Sequence, residues 1–223
     1  HATAEFRSER LYTLDGRKPT PSGQGSSVGG LHKTSDGYVR VHDGFPNHAL
    51  GILDLVGLPH DATRRDLADK LASWASIDLE NVATAEGKLA VYALRSYAQW
   101  DCLPQSRAIS NFPIDVNPVV LASDTAAREA STGMPRWMPS GNAQCLQGLR
   151  VVELSRVIAA PVCGKTLAAH GADVIWVTSP RLPALPYLDR EFARGKRTVQ
   201  LDLADAADKA RLLDLLRTAD VLV

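Results

Sequence analysis

Residues 146–177 have the sequence LQGLRVVELSRVIAAPVCGKTLAAHGADVIWV, and this stretch decides the fold. The apolar, β-branched run at 151–154 is typical of a buried parallel strand. Pro161 suits the first turn of a helix, because its missing N–H would have no partner there. Gly171 is predicted to end that helix as a left-handed cap, and a second apolar run follows at 174–177. The stretch therefore predicts a strand–helix–strand unit.

The same alternation continues to the last residue. A third strand is predicted over 198–203, a helix over 205–218 and a fourth apolar run over 220–223. Alternating strands and helices build a parallel sheet with helices on both faces. We therefore predict an α/β fold, in which residues 148–223 form an incomplete Rossmann-like unit.

The N-terminal part has a different pattern, typical of a small α+β domain over residues 1–116. Asp36-Gly37 is a strong hairpin signal between the short runs 31–33 and 38–42. Helical spacing predicts helices over 46–55, 63–73 and 79–86, and helical composition predicts one over 2–13. The apolar segment 88–97 fits either a strand or a helix. A loop is predicted over 15–30, and a linker over 117–147.

Composition excludes several classes of protein. Lys plus Arg and Asp plus Glu both number 25, which argues against nucleic acid or a membrane surface as the main partner. No run approaches the roughly 20 apolar residues of a membrane span. The 3 cysteines lack metal-ligand spacing, so we expect no metal site and a cytoplasmic location. The chain lacks an initiator Met and a secretory signal, and we expect it to be a piece of a longer protein or a processed product.

The C-terminal part resembles a known family in four segments, which are 149–161, 171–177, 194–203 and 218–223. In this order they are similar to the opening of the family III CoA-transferases. This is the CaiB/BaiF superfamily, which includes formyl-CoA transferase, carnitine CoA-transferase and α-methylacyl-CoA racemase. Residues 36–59 resemble the small domain of the same superfamily. The order of the two parts departs from single-copy members, in which the Rossmann-like unit comes first.

The resemblance implies an activity. In these transferases an aspartate attacks an acyl-CoA thioester, and an aspartyl-CoA intermediate then passes CoA to a carboxylic acid. Acyl-CoA and a small carboxylic acid are the implied substrates, with no tightly bound cofactor, and the implied assembly is an interlocked homodimer. In family order the aspartate lies beyond Val223, so no residue of this chain is expected to be the nucleophile. Two alternatives stay open: a racemase, and a non-catalytic CoA-binding half of a tandem protein.

Five residues are candidates for binding CoA. The loop 155–160 follows the first strand of the sheet, and the next helix would point its N-terminal N–H groups at an anion there. Arg156, in the loop itself, would add a charge-assisted contact to phosphate. Ala160 lies at that helix start, and Arg181 follows the second strand. Lys196 and Arg197 belong to the basic turn Arg-Gly-Lys-Arg, whose density suits phosphates. For each cation the alternative is a solvated or ion-paired side chain.

Other nucleotide and catalytic motifs are missing or weak. The loop after the first strand has no G-x-G-x-x-G pattern, which argues against NAD and FAD, and no P-loop is present. An unrelated Rossmann-like protein that binds another nucleotide stays open. Cys163 is expected to be a small core residue rather than a reactive thiol. His42 and His48 flank Asp43 and are weak candidates for acid/base chemistry.

Overall fold

A computed structural model describes residues 15–17, 28–112, 114–117 and 144–223. The helix predicted over 2–13, most of the loop predicted over 15–30 and most of the predicted linker lie outside the described residues. The chain divides into two compact units, whose main described parts are 28–117 (the N-terminal unit) and 144–223 (the C-terminal unit). The exact domain boundaries stay a prediction.

The N-terminal unit is a three-stranded antiparallel sheet packed against helices. The strand order is β1-β2-β3. The strands are β1 (Gly30–Lys33), β2 (Tyr38–Val41) and β3 (Val91–Ala93). The helices are α1 (Pro46–Leu55), α2 (Arg64–Leu71), α3 (Ser76–Ala85), α4 (Tyr97–Asp101) and α5 (Pro104–Ala108).

Local chemistry fixes several of these elements close to where the sequence predicted them, whereas α4 and α5 were not predicted. The turn between β1 and β2 closes through Thr34 N–H, which donates to Gly37 O at 2.9 Å. Thr63 caps α2 in a reciprocal capping box with Asp66. The ambiguous segment 88–97 contributes β3, in which Val91 and Ala93 are buried and the residue between them is exposed. The core of the unit is apolar, with fully enclosed side chains Val39, Val41, Ile52, Leu53, Leu67, Leu71, Leu79 and Val91.

The C-terminal unit is the predicted α/β fold with a four-stranded parallel sheet. Its strands are β4 (Arg150–Glu153), β5 (Asp173–Thr178), β6 (Arg197–Gln200) and β7 (Val221–Leu222), in the order β6-β5-β4-β7. Its helices are α6 (Ala159–Ala169), α7 (Pro186–Phe192) and α8 (Ala206–Arg217). β5 and β6 lie on one side of β4, and β7 lies on the other. This is the strand order of the first half of a doubly wound sheet.

Helix α6 differs slightly from its prediction. It begins at Ala159, so Pro161 is its third residue rather than its first. Proline is tolerated there because the first N–H groups of a helix lack intrahelical partners in any case. The predicted cap is confirmed. Gly171 has a φ of 103°, its N–H donates to Ala168 O at 3.0 Å, and Ala172 N–H donates to Leu167 O at 3.1 Å. This pair of hydrogen bonds is the Schellman arrangement.

The strand order creates a crevice above β4. The chain passes from β4 to β5 on one side of β4, and it later crosses to β7 on the other side. Open parallel sheets bind ligands at such a point, outside the carboxyl ends of the strands. Leu154, the first residue after β4, still pairs with the β7 side through an N–H bond to Val223 O at 2.8 Å. The segment 154–158, here called the β4–α6 loop, therefore lies at this crevice.

Candidate functional site

The β4–α6 loop has an unusual backbone. Val157 has a φ of 71°, a conformation that β-branched residues rarely adopt. Ile158, the N-cap residue of α6, supplies no side-chain cap to the helix. Strained backbone of this kind persists only where the surroundings hold it, and it is common at ligand sites. The loop and the helix start after it thus form an anion-favouring edge.

A buried ion pair lies beneath this loop. Glu153, the last residue of β4, has its Oε2 atom 2.7 Å from Lys196 Nζ, and both side chains have 0% exposure. Lys196 Nζ also donates to Glu153 Oε1 at 2.9 Å and to Pro161 O at 2.9 Å. Burial lowers the pKa of Lys196, while the hydrogen bond and charge of Glu153 oppose the shift. The pair joins the end of β4, the first turn of α6 and the turn before β6.

Three further residues complete this network. The hydroxyl of Ser155 donates to Glu153 Oε1, and Trp176 Nε1–H donates to Ser155 O at 3.0 Å. Lys196 Nζ lies 4.8 Å from the centroid of the Trp176 ring, within the range of a cation–π contact. Helix α6 approaches closely because residue 164 is glycine: a Cβ there would overlap Glu153 Oε2 and lie 3.2 Å from Lys196 Nζ.

Arg156 links the β4–α6 loop to the segment that follows β5. Its Nη2 donates to Pro183 O at 2.6 Å. Burial raises the pKa of Asp189 in α7, and the positive charge of Arg156 partly offsets that rise. The guanidinium is therefore at the carboxyl edge of the sheet, near one half-buried carboxyl group. Ala160, the second residue of α6, lies at the same edge.

Arg181 follows β5 at the same edge and forms an exposed ion pair. Its Nε lies 2.5 Å from Asp202 Oδ2, in the segment after β6. The hydrogen bond from Arg181 and a second from Ala204 N–H lower the pKa of Asp202. Arg156 and Arg181 thus stand in the predicted region, each already in contact with a protein oxygen.

The basic turn before β6 does not form one cluster of exposed cations. Arg194 lies 3.4 Å from Glu191 Oε2, and Lys196 turns inward to its buried pair. Arg197 opens β6 and forms a two-pronged contact with Asp173, the first residue of β5, at 2.6 Å and 2.7 Å. The structure therefore brings Arg156, Ala160 and Arg181 to the carboxyl edge, and directs Arg197 towards the amino end of β5.

Several other residues bear on the predictions made from the sequence. Cys163 was expected to be a core residue, which is wrong: it is exposed on α6. His42 and His48 accept hydrogen bonds at Nδ1 from Gly44 N–H and Ala90 N–H, at 3.3 Å and 3.1 Å. Glu153 and Trp176 were missed as parts of the site. The only signal for Glu153 was a charge at the end of a buried apolar run.

The residues that the structure describes include no cluster of three or more His, Cys, Asp or Glu side chains that could hold a metal ion. Among the helices of these residues, none combines the length and the apolar character that crossing a membrane requires.

Comparison with known proteins identifies the C-terminal unit. Residues 146–223 match the model of CoA-transferase family III. An acyl-CoA transferase of Gibberella moniliformis is 30% identical over 169 residues, which is 74% of this chain and 28% of that protein. The acetyl-coenzyme A transferase nodX of Hypoxylon pulicicidum is 26% identical over 230 residues, 99% of this chain and 37% of that protein. A succinate–glutarate CoA-transferase of Agrobacterium fabrum is 36% identical over 110 residues, 41% of this chain and 26% of that protein.

These comparisons bear on the order of the two units. The match to the Hypoxylon protein runs through both, so that relative carries similar segments in the same order. The departure from single-copy order noted in the sequence therefore has a counterpart. This chain spans well under half the length of each of the three relatives.

Proposed function

Residues 146–223 belong to CoA-transferase family III, and from this premise we propose that the protein moves CoA between an acyl-CoA thioester and a carboxylic acid. The relatives described above are named as an acyl-CoA transferase, an acetyl-coenzyme A transferase and a succinate–glutarate CoA-transferase, which supports this proposal. In this proposal the C-terminal unit binds the phosphorylated part of CoA. The protein is proposed to work in the cytoplasm, as a homodimer.

One observation carries the proposal. Arg156 and the uncapped start of α6 lie together outside the carboxyl end of β4, at the point where the strand order reverses. A helix N-terminus offers backbone donors and partial positive charge, and a guanidinium binds phosphate through paired N–H groups. CoA carries a diphosphate and a 3′-phosphate, which are suitable anions for this edge. The peptide groups at Ala160 would supply the backbone contact.

The other proposed residues differ in what binding would require of them. Arg181 is mostly exposed and could share its guanidinium between Asp202 and a phosphate. Arg197 would have to exchange its contact with Asp173, so we expect it to contribute least. The ammonium group of Lys196 is enclosed, so its effect on CoA would come through the loop it holds.

The chemistry is proposed to follow the family resemblance. An aspartate from outside these 223 residues would attack the thioester carbonyl, displacing the CoA thiolate and forming a mixed anhydride. The thiolate would then attack the aspartyl carbonyl, which releases the first carboxylate and leaves an aspartyl-CoA thioester. The acceptor carboxylate would repeat these two steps in reverse. The C-terminal unit would hold CoA while its sulfur changes partners.

Titration calorimetry with CoA tests the binding step. We compare the unaltered 223-residue chain with Arg156→Gln and with the control Arg217→Gln, an exposed arginine paired with Asp214 on α8. Hydrogen bonds to charged groups contribute about 1.5–3 kcal/mol, so Arg156→Gln should weaken CoA binding roughly ten- to hundredfold. The control should bind CoA like the unaltered chain.

Three results would contradict the proposal. The first is the absence of CoA binding by the unaltered chain, and the second is binding of ATP as tight as that of CoA. The third is an Arg156→Gln variant that binds CoA normally. Transfer itself is tested with the longest natural form of the protein, by following isotope-labelled carboxylate into the acyl-CoA pool.

A further inference from the structure

We infer that Glu153 and Lys196 are positioning residues, whose buried contact fixes the backbone of 154–161 in the geometry of the ligand site. The inference rests on the proposed function for the identity of the ligand. The contacts that carry it lie within the C-terminal unit and do not depend on that identity.

The pair holds both ends of the β4–α6 loop. Glu153 directly precedes the loop. Lys196 Nζ lies 2.7 Å from its Oε2 atom and 2.9 Å from its Oε1 atom. The same Nζ donates to Pro161 O, in the first turn of the helix that follows the loop, at 2.9 Å. One ammonium group therefore ties the residue before the loop to a residue just after it.

The loop is also attached through its own residues. Ser155 donates its hydroxyl to the Glu153 carboxylate, and its carbonyl accepts from Trp176 Nε1–H at 3.0 Å. Trp176 lies directly across from Glu153 on the neighbouring strand β5. Two contacts therefore constrain Ser155, which lies two residues before the strained residue Val157.

Stability alone does not explain this arrangement. A buried ion pair gives up much of its attraction to desolvation, and apolar residues of similar volume often do as well or better. The backbone at Val157 is unfavourable and must be held by its surroundings. Buried polar groups that are hydrogen-bonded specify a single local structure, and Glu153 Oε1 and Lys196 Nζ are bonded in this way. Glu153 Oε2 has its ion contact with Lys196 but no hydrogen bond among the described residues. The pair thus defines the course of the loop that carries Arg156.

The test separates a positioning role from a structural one. We compare Glu153→Gln, Lys196→Met and the double variant, in which no uncompensated charge is left buried. The control is the double variant Lys165→Met with Glu191→Gln, which neutralises another largely buried pair of the same unit, at 2.5 Å. Readouts are thermal unfolding, hydrogen exchange of amides 154–162 without ligand, the Trp176 indole N–H resonance, and CoA affinity.

The expected results differ between the pairs. The Glu153/Lys196 double variant should regain much of the thermal stability that each single variant loses. Its loop amides should still exchange at least tenfold faster than in the unaltered chain, with a shifted Trp176 resonance and at least tenfold weaker CoA binding. The control should change neither the loop amides nor CoA affinity.

A double variant with unaltered loop exchange and unaltered CoA affinity would overturn the inference. If these variants fail to fold, Ser155→Ala provides the milder test, and unchanged exchange over 154–158 would overturn it as well. An unaltered chain that binds no CoA would remove the proposed function. Hydrogen exchange and the indole resonance would still decide the positioning role.

Discussion

Replacing Gly164 by alanine should destabilise the C-terminal unit, although the same change inside an ordinary helix is favourable. Gly164 lies in α6, where its Cα faces the Glu153 carboxylate. An added methyl group would overlap Oε2 of Glu153 and crowd Lys196 Nζ, which would lie 3.2 Å from it. Both side chains are fully enclosed, so the carboxylate cannot swing into solvent.

The magnitude follows from two opposing effects. Disrupting a buried ion pair costs about 3–5 kcal/mol. The gain in helix propensity from glycine to alanine is about 1 kcal/mol. We therefore expect Gly164→Ala to lower the free energy of unfolding by about 2–4 kcal/mol.

Urea unfolding, followed by far-ultraviolet circular dichroism, measures this difference. Cys163→Ala is the matched control, because Cys163 is exposed on the same helix and its change to alanine should not destabilise the unit. If Gly164→Ala instead stabilised the protein by about 1 kcal/mol, the close approach of α6 to Glu153 would be refuted.

Three further predictions concern other parts of the chain. Burial lowers the pKa of His32 in the folded protein below 6.5, its value in the unfolded chain. Between the folded-state pKa and pH 6.5 the unfolded chain therefore binds more protons than the folded protein, so stability should fall as the pH falls through this range. His32→Gln, which keeps a donor for Val28 O, should flatten that dependence in thermal melts recorded from pH 4 to 8. Asp205→Ala, which removes the N-cap of α8, should cost about 1 kcal/mol in urea unfolding, and an equally stable variant would contradict the capping role. Glu80→Gln should cost about 1.5–3 kcal/mol by the same assay, because Arg95 loses a partner in a pair less than 20% exposed, and Arg95→Gln should show a similar loss.

The sequence was sufficient to predict the parallel sheet. Apolar runs alternating with helical spacing and glycine caps are local signals, and each strand of the C-terminal unit lies within two residues of the predicted start. Helix α1 begins and ends where predicted, at Pro46 and Leu55. The start of α6 was two residues late, because proline is compatible with every position of a first turn.

The candidate site was harder to predict, because its contacts join distant residues. Glu153 and Lys196 are 43 residues apart, and only the fold brings them together. In the sequence Lys196 is one of three neighbouring cations, and nothing distinguishes which of them would bind a ligand. In the structure, the turn at Gly195, with a φ of 76°, precedes a strand, and the cations on either side are directed to different partners. No local sequence pattern predicts which of these cations is buried.

The backbone at Val157 has a consequence for how this region can change. Glycine at this position would adopt the same dihedral angles without conflict, yet it would also make many other conformations accessible to the unfolded and loosened loop. Relief of the strain at Val157 would stabilise the fold, whereas the added freedom of the loop would weaken its attraction for an anion. Selection for a sturdier protein and selection for a tighter site would then favour different residues at this one position.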